Sequence, residues 1–109
     1  MLAKAESMPT PNVLDRHFFY SVLIDRLTGN SARNPEARIR LIESCESQIA
    51  IAAAAAKAFK TEDRNLGIQP KLPYHTGYSL LVDLIRDERP DEAKRLASQA
   101  KKQGWQGNW

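Results

Sequence analysis

The sequence predicts an all-α domain of about four helices, and three observations carry that prediction. Apolar residues recur at helical spacing in four separate stretches. Asparagine, proline and glycine stand where helices start and stop. One alanine-rich stretch, Ile49 to Ala56, has no β-branched run and no turn residue. At 109 residues, with 42% hydrophobic and 27% charged residues, the chain suits one ordinary core and does not have the composition of disorder.

The first eleven residues contain Pro9 and Pro11 among small polar side chains and read as a loose lead-in, 1–11. Asn12 can cap the first helix. Val13, His17, Tyr20, Ile24 and Leu27 then follow one helical face, and Gly29-Asn30 supplies a stop, so helix one is expected over about 12–28. Asn34-Pro35 starts the second, because asparagine can accept from the orphan amides of a first turn and proline gives up an amide that had no partner there. With no further proline or glycine until Gly67, its stripe of Ile39, Ile42, Cys45, Ile49, Ala52, Ala56 and Phe59 is expected to run unbroken to about residue 63 and to lie centrally.

Gly67, Pro70 and Pro73 make 64–73 a linker. Tyr78, Leu81, Val82 and Ile85 mark a third helix from about residue 74 to 88, and Arg89-Pro90-Asp91 turns into a fourth that ends at Gly104. Asp91 and Glu92 at its start and Lys101 and Lys102 at its end match the helix dipole. The domain is thus expected over 12–104, followed by a tail over 105–109.

The segment His17 to Asp25 and the segment His75 to Asp83 share histidine, tyrosine, serine, leucine and aspartate at one constant offset. Each is followed by a turn and a Pro-acidic start, Pro35-Glu36 in one half and Pro90-Asp91 in the other. This self-similarity predicts two αα-hairpins, 12–63 and 74–104. The stretch from Tyr78 through Asp91-Glu92-Ala93 to Gly104 resembles a single tetratricopeptide or pentatricopeptide hairpin. The resemblance spans one hairpin, and the repeat offset is longer than either family's period, so it implies a shared way of packing.

The longest apolar run is too short to cross a bilayer, and the first residues carry no apolar core of a secretory signal, so a cytoplasmic location and no membrane partner are expected. The lone Cys45 leaves no internal disulfide, and Glu43 and Glu46 beside it oppose a reactive thiolate. No glycine-rich phosphate loop, zinc spacing or nucleophile with its base stands out; no cofactor and no catalytic residue are expected. His, Ser and Asp at i, i+4 and i+8 of each repeat do not form a triad, because the outer two are ~12 Å apart along a helix. Ser21 and Ser79 are expected to bond the carbonyl one turn back.

Three groups remain as candidate sites. His17, Tyr20, His75 and Tyr78 form a polar site if the two repeats face each other, whereas the simpler expectation is a semi-exposed histidine at each helix start. Arg33, Arg38, Arg40, Lys94, Arg95, Lys101 and Lys102 can contact phosphates, since the net charge is +3 and its excess lies mostly toward the C-terminus. Trp105 is expected to pack back on its helix after the glycine cap, and Trp109 to be either a loose end or a partner anchor. The leading functional expectation is a non-enzymatic interaction module that binds protein or self-associates. A small basic DNA- or RNA-binding regulator is the alternative.

Overall fold

The computed structural model describes residues 12–31, 34–107 and 109. The expected lead-in and Arg33 lie outside the described residues. Among those described there are five helices: α1 (Val13–Ser31), α2 (Pro35–Ala50), α3 (Ala52–Asn65), α4 (Thr76–Ile85) and α5 (Pro90–Gln103). The protein is all-α, and no helix is long and apolar enough to cross a membrane.

The helix count differs from expectation because the long central helix breaks at Ile51. Its backbone leaves the α region (φ −103°, ψ 6°) without proline or glycine nearby. Ile49 and Ile51 are β-branched and weaken helix propensity slightly at that point. The direction after the break turns Ala52, Ala55 and Ala56 inward, where all three are buried. α1 then packs against α2, α3 and α4 together. α1 also runs to Ser31, three residues past its expected end, and α4 occupies only Thr76–Ile85.

The starts follow the capping chemistry. Asn12 Oδ1 accepts from the Leu14 amide at 2.9 Å, and Asn34 Oδ1 accepts from Glu36 at 2.9 Å and from Ala37 at 3.4 Å. At the other end of the chain Gly104 adopts φ +98°, which only glycine takes without strain. The Trp105 amide then reaches back to the Ala100 carbonyl at 3.1 Å, closing the last turn of α5 and aiming the indole at the core.

Two hydrogen bonds hold the tail against the linker. His75 N donates to Gln106 O and Gln106 N to Pro73 O, both at 3.1 Å, around a single Tyr74–Gln106 bridge. Leu72, buried under Gly104, fills the space below. The core itself contains Leu14, Ile24, Leu41, Cys45, Tyr78, Leu81, Ile85, Leu96, Ala100 and Trp105.

Candidate functional site: a buried histidine pair and two exposed faces

The structure brings His17 and His75 together. His17 sits inside α1, His75 caps α4, and both are buried, at 2% and 0% exposure. Neither histidine is semi-exposed as expected, and only His75 stands at a helix start. The reason was partly visible in the sequence, since His17 falls on the core-facing spacing of α1. Their ring centroids are 5.3 Å apart. Trp105 stacks on His17 at 5.3 Å and 11°, and meets His75 edge-on at 4.6 Å. Phe59 closes the side next to His17 and Trp105.

The protonation state of His75 follows from its cap. Its Nδ1 accepts the Tyr78 amide at 3.0 Å, so in the neutral ring the proton must be on Nε2. That Nε2–H and the Nδ1 of His17 are both buried with no hydrogen-bond partner among the described residues. Burial, reinforced by the neighbouring His17 and partly opposed by a backbone hydrogen bond, pushes His75 down to about 3. Burial also lowers His17. Both rings are neutral at pH 7.

The donor set does not suit a metal. Ligation through His75 Nε2 would move its proton to Nδ1 and break the α4 cap. Among the described residues no three histidine, cysteine, aspartate or glutamate side chains converge. Cys45 is buried, and burial together with Glu46 pushes its thiol up to about 12. It is a packing residue.

Tyr78 joins the histidine cluster at 4.6 Å from His75, whereas Tyr20, half-buried on the core-facing side of α1, has its ring beside Phe19. The Tyr78 hydroxyl donates to Gln103 Oε1 at 3.1 Å and accepts from Gln99 Nε2 at 2.7 Å. Gln103 Oε1 also accepts from the Trp105 indole at 2.9 Å, which ties the tryptophan to the α4–α5 pair. Trp109 folds back as well. Its indole donates to Trp105 O at 3.1 Å and its ring covers Gly107, where a Cβ would collide with it.

Gln48 was not singled out by the sequence, yet it links three elements. Fully buried on α2, it donates to His17 O at 2.9 Å and Ser21 Oγ at 2.7 Å, and accepts from the Gly77 amide at 2.8 Å. Gly77 is required by this contact, since a Cβ there would lie 2.6 Å from Gln48 Oε1 and 3.2 Å from the Cys45 carbonyl. The expected back-bonding of the repeat serines does not occur. Ser21 accepts from Gln48, and Ser79 Oγ has no partner among the described residues.

The basic candidates are divided. Arg38 is tied to α4, donating to Leu84 O at 3.3 Å and pairing with Glu88 at 3.2 Å, and Arg40 lies 3.8 Å from Glu36. On α5, Lys94 and Lys101 share one exposed face while Arg95 and Lys102 share another. Sequence reasoning missed Lys57, Lys60 and Arg64, which share a face of α3. α3 and α5 meet at Gln103, whose carbonyl accepts from Lys60 Nζ at 3.4 Å. A shallow depression of about 490 Å³ lined by Arg95, Ser98, Gln99, Lys102 and Gln103 adjoins another of about 230 Å³ that contains Lys57, Lys60, Arg64 and Gln103. No carboxylate lines either one.

A second exposed face is apolar. Phe19 and Val22 of α1 are 61% and 55% exposed, on the side of the helix away from buried Leu14, His17 and Ile24, and Phe18, 51% exposed, stands at the edge of that side with its ring against His17 and Phe59. Ile39, Leu66, Ile68 and Tyr74 are exposed too, but on other elements.

Compared with known protein families, with characterised proteins and with solved structures, the chain matches none. Functional inference therefore rests on these residues.

Proposed function

We propose that this protein is a non-enzymatic helical interaction module that associates with a second copy of itself. The observation that carries the proposal is the outward face of α1. Phe19 and Val22 occupy one arc of the helix, two large apolar side chains outside the buried core, and Phe18 beside them is half exposed while its inner edge meets His17 and Phe59. A cluster of this kind with charged residues at its edges is the composition of an interface centre and rim. Asp15 and Arg26, both exposed, supply those edges.

Replacing Phe19 with aspartate is expected to weaken self-association about 100-fold, the scale of a central hot spot, while leaving helix content unchanged because the residue is outside the core. Light scattering after size exclusion, with circular dichroism alongside, checks both. An unchanged oligomer in the variant would contradict the proposal.

The paired repeats belong to the same reading. Supporting them, His17 and His75 are both buried, as are Ile24 and Val82, while Asp25 and Asp83 are both exposed. Phe19 and Gly77 break the pattern, one exposed and the other buried against Gln48. On this view duplication gave two hairpins whose matching helices, α1 and α4, now serve different ends. α1 offers a docking face and α4 is enclosed.

The basic face around Gln103, whose two depressions no carboxylate lines although Arg95 lies 3.9 Å from Glu92, favours a second reading, contact with a nucleic-acid backbone. Its lining carries amide and hydroxyl groups beside the cations and no aromatic ring, which suits phosphate contact without base recognition. If it holds, changing Lys57, Arg64 and Lys102 together to glutamine lowers the slope of log affinity against log salt by about 2 to 3. Fluorescence polarisation with a labelled single-stranded oligonucleotide measures it. An equal slope, or no binding at low salt, would remove this reading.

A further inference from the structure

We infer that two copies of α1 dock antiparallel across a two-fold axis lying between Tyr20 and Ser21. The inference rests on the self-association proposed above and specifies its geometry. Asp15, Phe19, Val22 and Arg26 are spaced i, i+4, i+7 and i+11, which places all four on one stripe of α1. Asp15, Phe19, Val22 and Arg26 are all exposed. Among the described residues neither Asp15 nor Arg26 takes part in an ion pair within the chain.

The stripe is self-complementary in only one direction. Run antiparallel about that axis, Phe19 of one copy meets Val22 of the other, and Asp15 meets Arg26 at each end. Run parallel, Asp15 would face Asp15 and Arg26 would face Arg26, a like-charge arrangement that disfavours docking. A two-fold interface needs a patch whose residue i meets j while j meets i, and Asp15 with Arg26 satisfies that condition around the Phe19–Val22 centre. A charge-complementary stripe of this length, with its apolar pair in the middle, therefore fits a second copy of the same chain.

The test is charge exchange in the full chain, read by sedimentation equilibrium. Asp15→Arg alone and Arg26→Asp alone each create two like-charged contacts per dimer and are expected to weaken dimerisation about tenfold. The double variant Asp15→Arg/Arg26→Asp restores it to within about threefold. An equimolar mixture of the two single variants forms a heterodimer in preference to either homodimer, because opposite charges then meet at both ends. Circular dichroism confirms that each variant is folded. Single variants that dimerise like the parent, or a double variant in which the losses add, overturn the antiparallel register and leave self-association standing. A parent chain that stays monomeric overturns both.

Discussion

Replacing Trp105 with alanine is expected to lower the stability of the protein by about 3 to 5 kcal/mol, the range for removing a buried tryptophan. Few substitutions in this chain should cost more. Trp105 is 3% exposed, stacks on His17, meets His75 and Phe59, and donates its indole N–H to Gln103. Its loss would open a cavity between α1, α3 and α4 and remove one partner of the Gln103 amide. For a domain of this size the change corresponds to a drop in Tm of about 15 to 20 °C. Trp105→Phe keeps most of the apolar fill but not the hydrogen bond, and should cost about 1 to 2 kcal/mol. Thermal melts at one protein concentration for all three proteins measure this. An alanine variant that melts with the parent would mean that the tail is not part of the core.

Acid should destabilise the fold through the same cluster. An unfolded histidine titrates near 6.5, whereas in the fold His75 is pushed down to about 3 and His17 is lowered, in both cases first by burial. Below pH 6.5 the unfolded chain consequently binds more protons than the native one, and stability falls as pH falls. The contribution is fully present above about pH 6.5 and is lost progressively toward the folded values. Between pH 7.5 and 4.5 His75 alone accounts for about 2 to 3 kcal/mol, a large part of the 5 to 15 typical of a domain. Urea titrations at the two pH values give the slope. His75→Asn keeps a side chain able to cap α4 and removes the titrating group, so its slope should be clearly shallower than the parent's. A parent equally stable at both pH values, or an asparagine variant with the parent's slope, would contradict the enclosed, neutral pair.

Much of the architecture could be read from local signals. Asn34-Pro35, Pro90-Asp91 and Gly104 each fix a helix end through chemistry confined to one turn, and the structure has helix ends at all three. The break at Ile51 had no such signal. Alanines on both sides favour helix, and the direction change is decided by what α1 and α2 leave for α3 to cover. The candidate site was legible in part for a similar reason. The repeated His-Tyr pattern pointed to the right histidines, but burial depends on Trp105 arriving from the far end of the chain. Gln48 was hidden as one polar residue within an apolar stripe. Conversely, Phe19 and Val22 are apolar residues off the core-facing stripe of α1, a signal present in the sequence that becomes meaningful once the buried face is known.

The central claim is that α1 carries an interface for a second copy of this chain. Sedimentation equilibrium of the unmodified protein over a wide concentration range tests it most directly. The prediction is a reversible monomer–dimer equilibrium that is weakened by Phe19→Asp. A single monomeric mass at every concentration would contradict it.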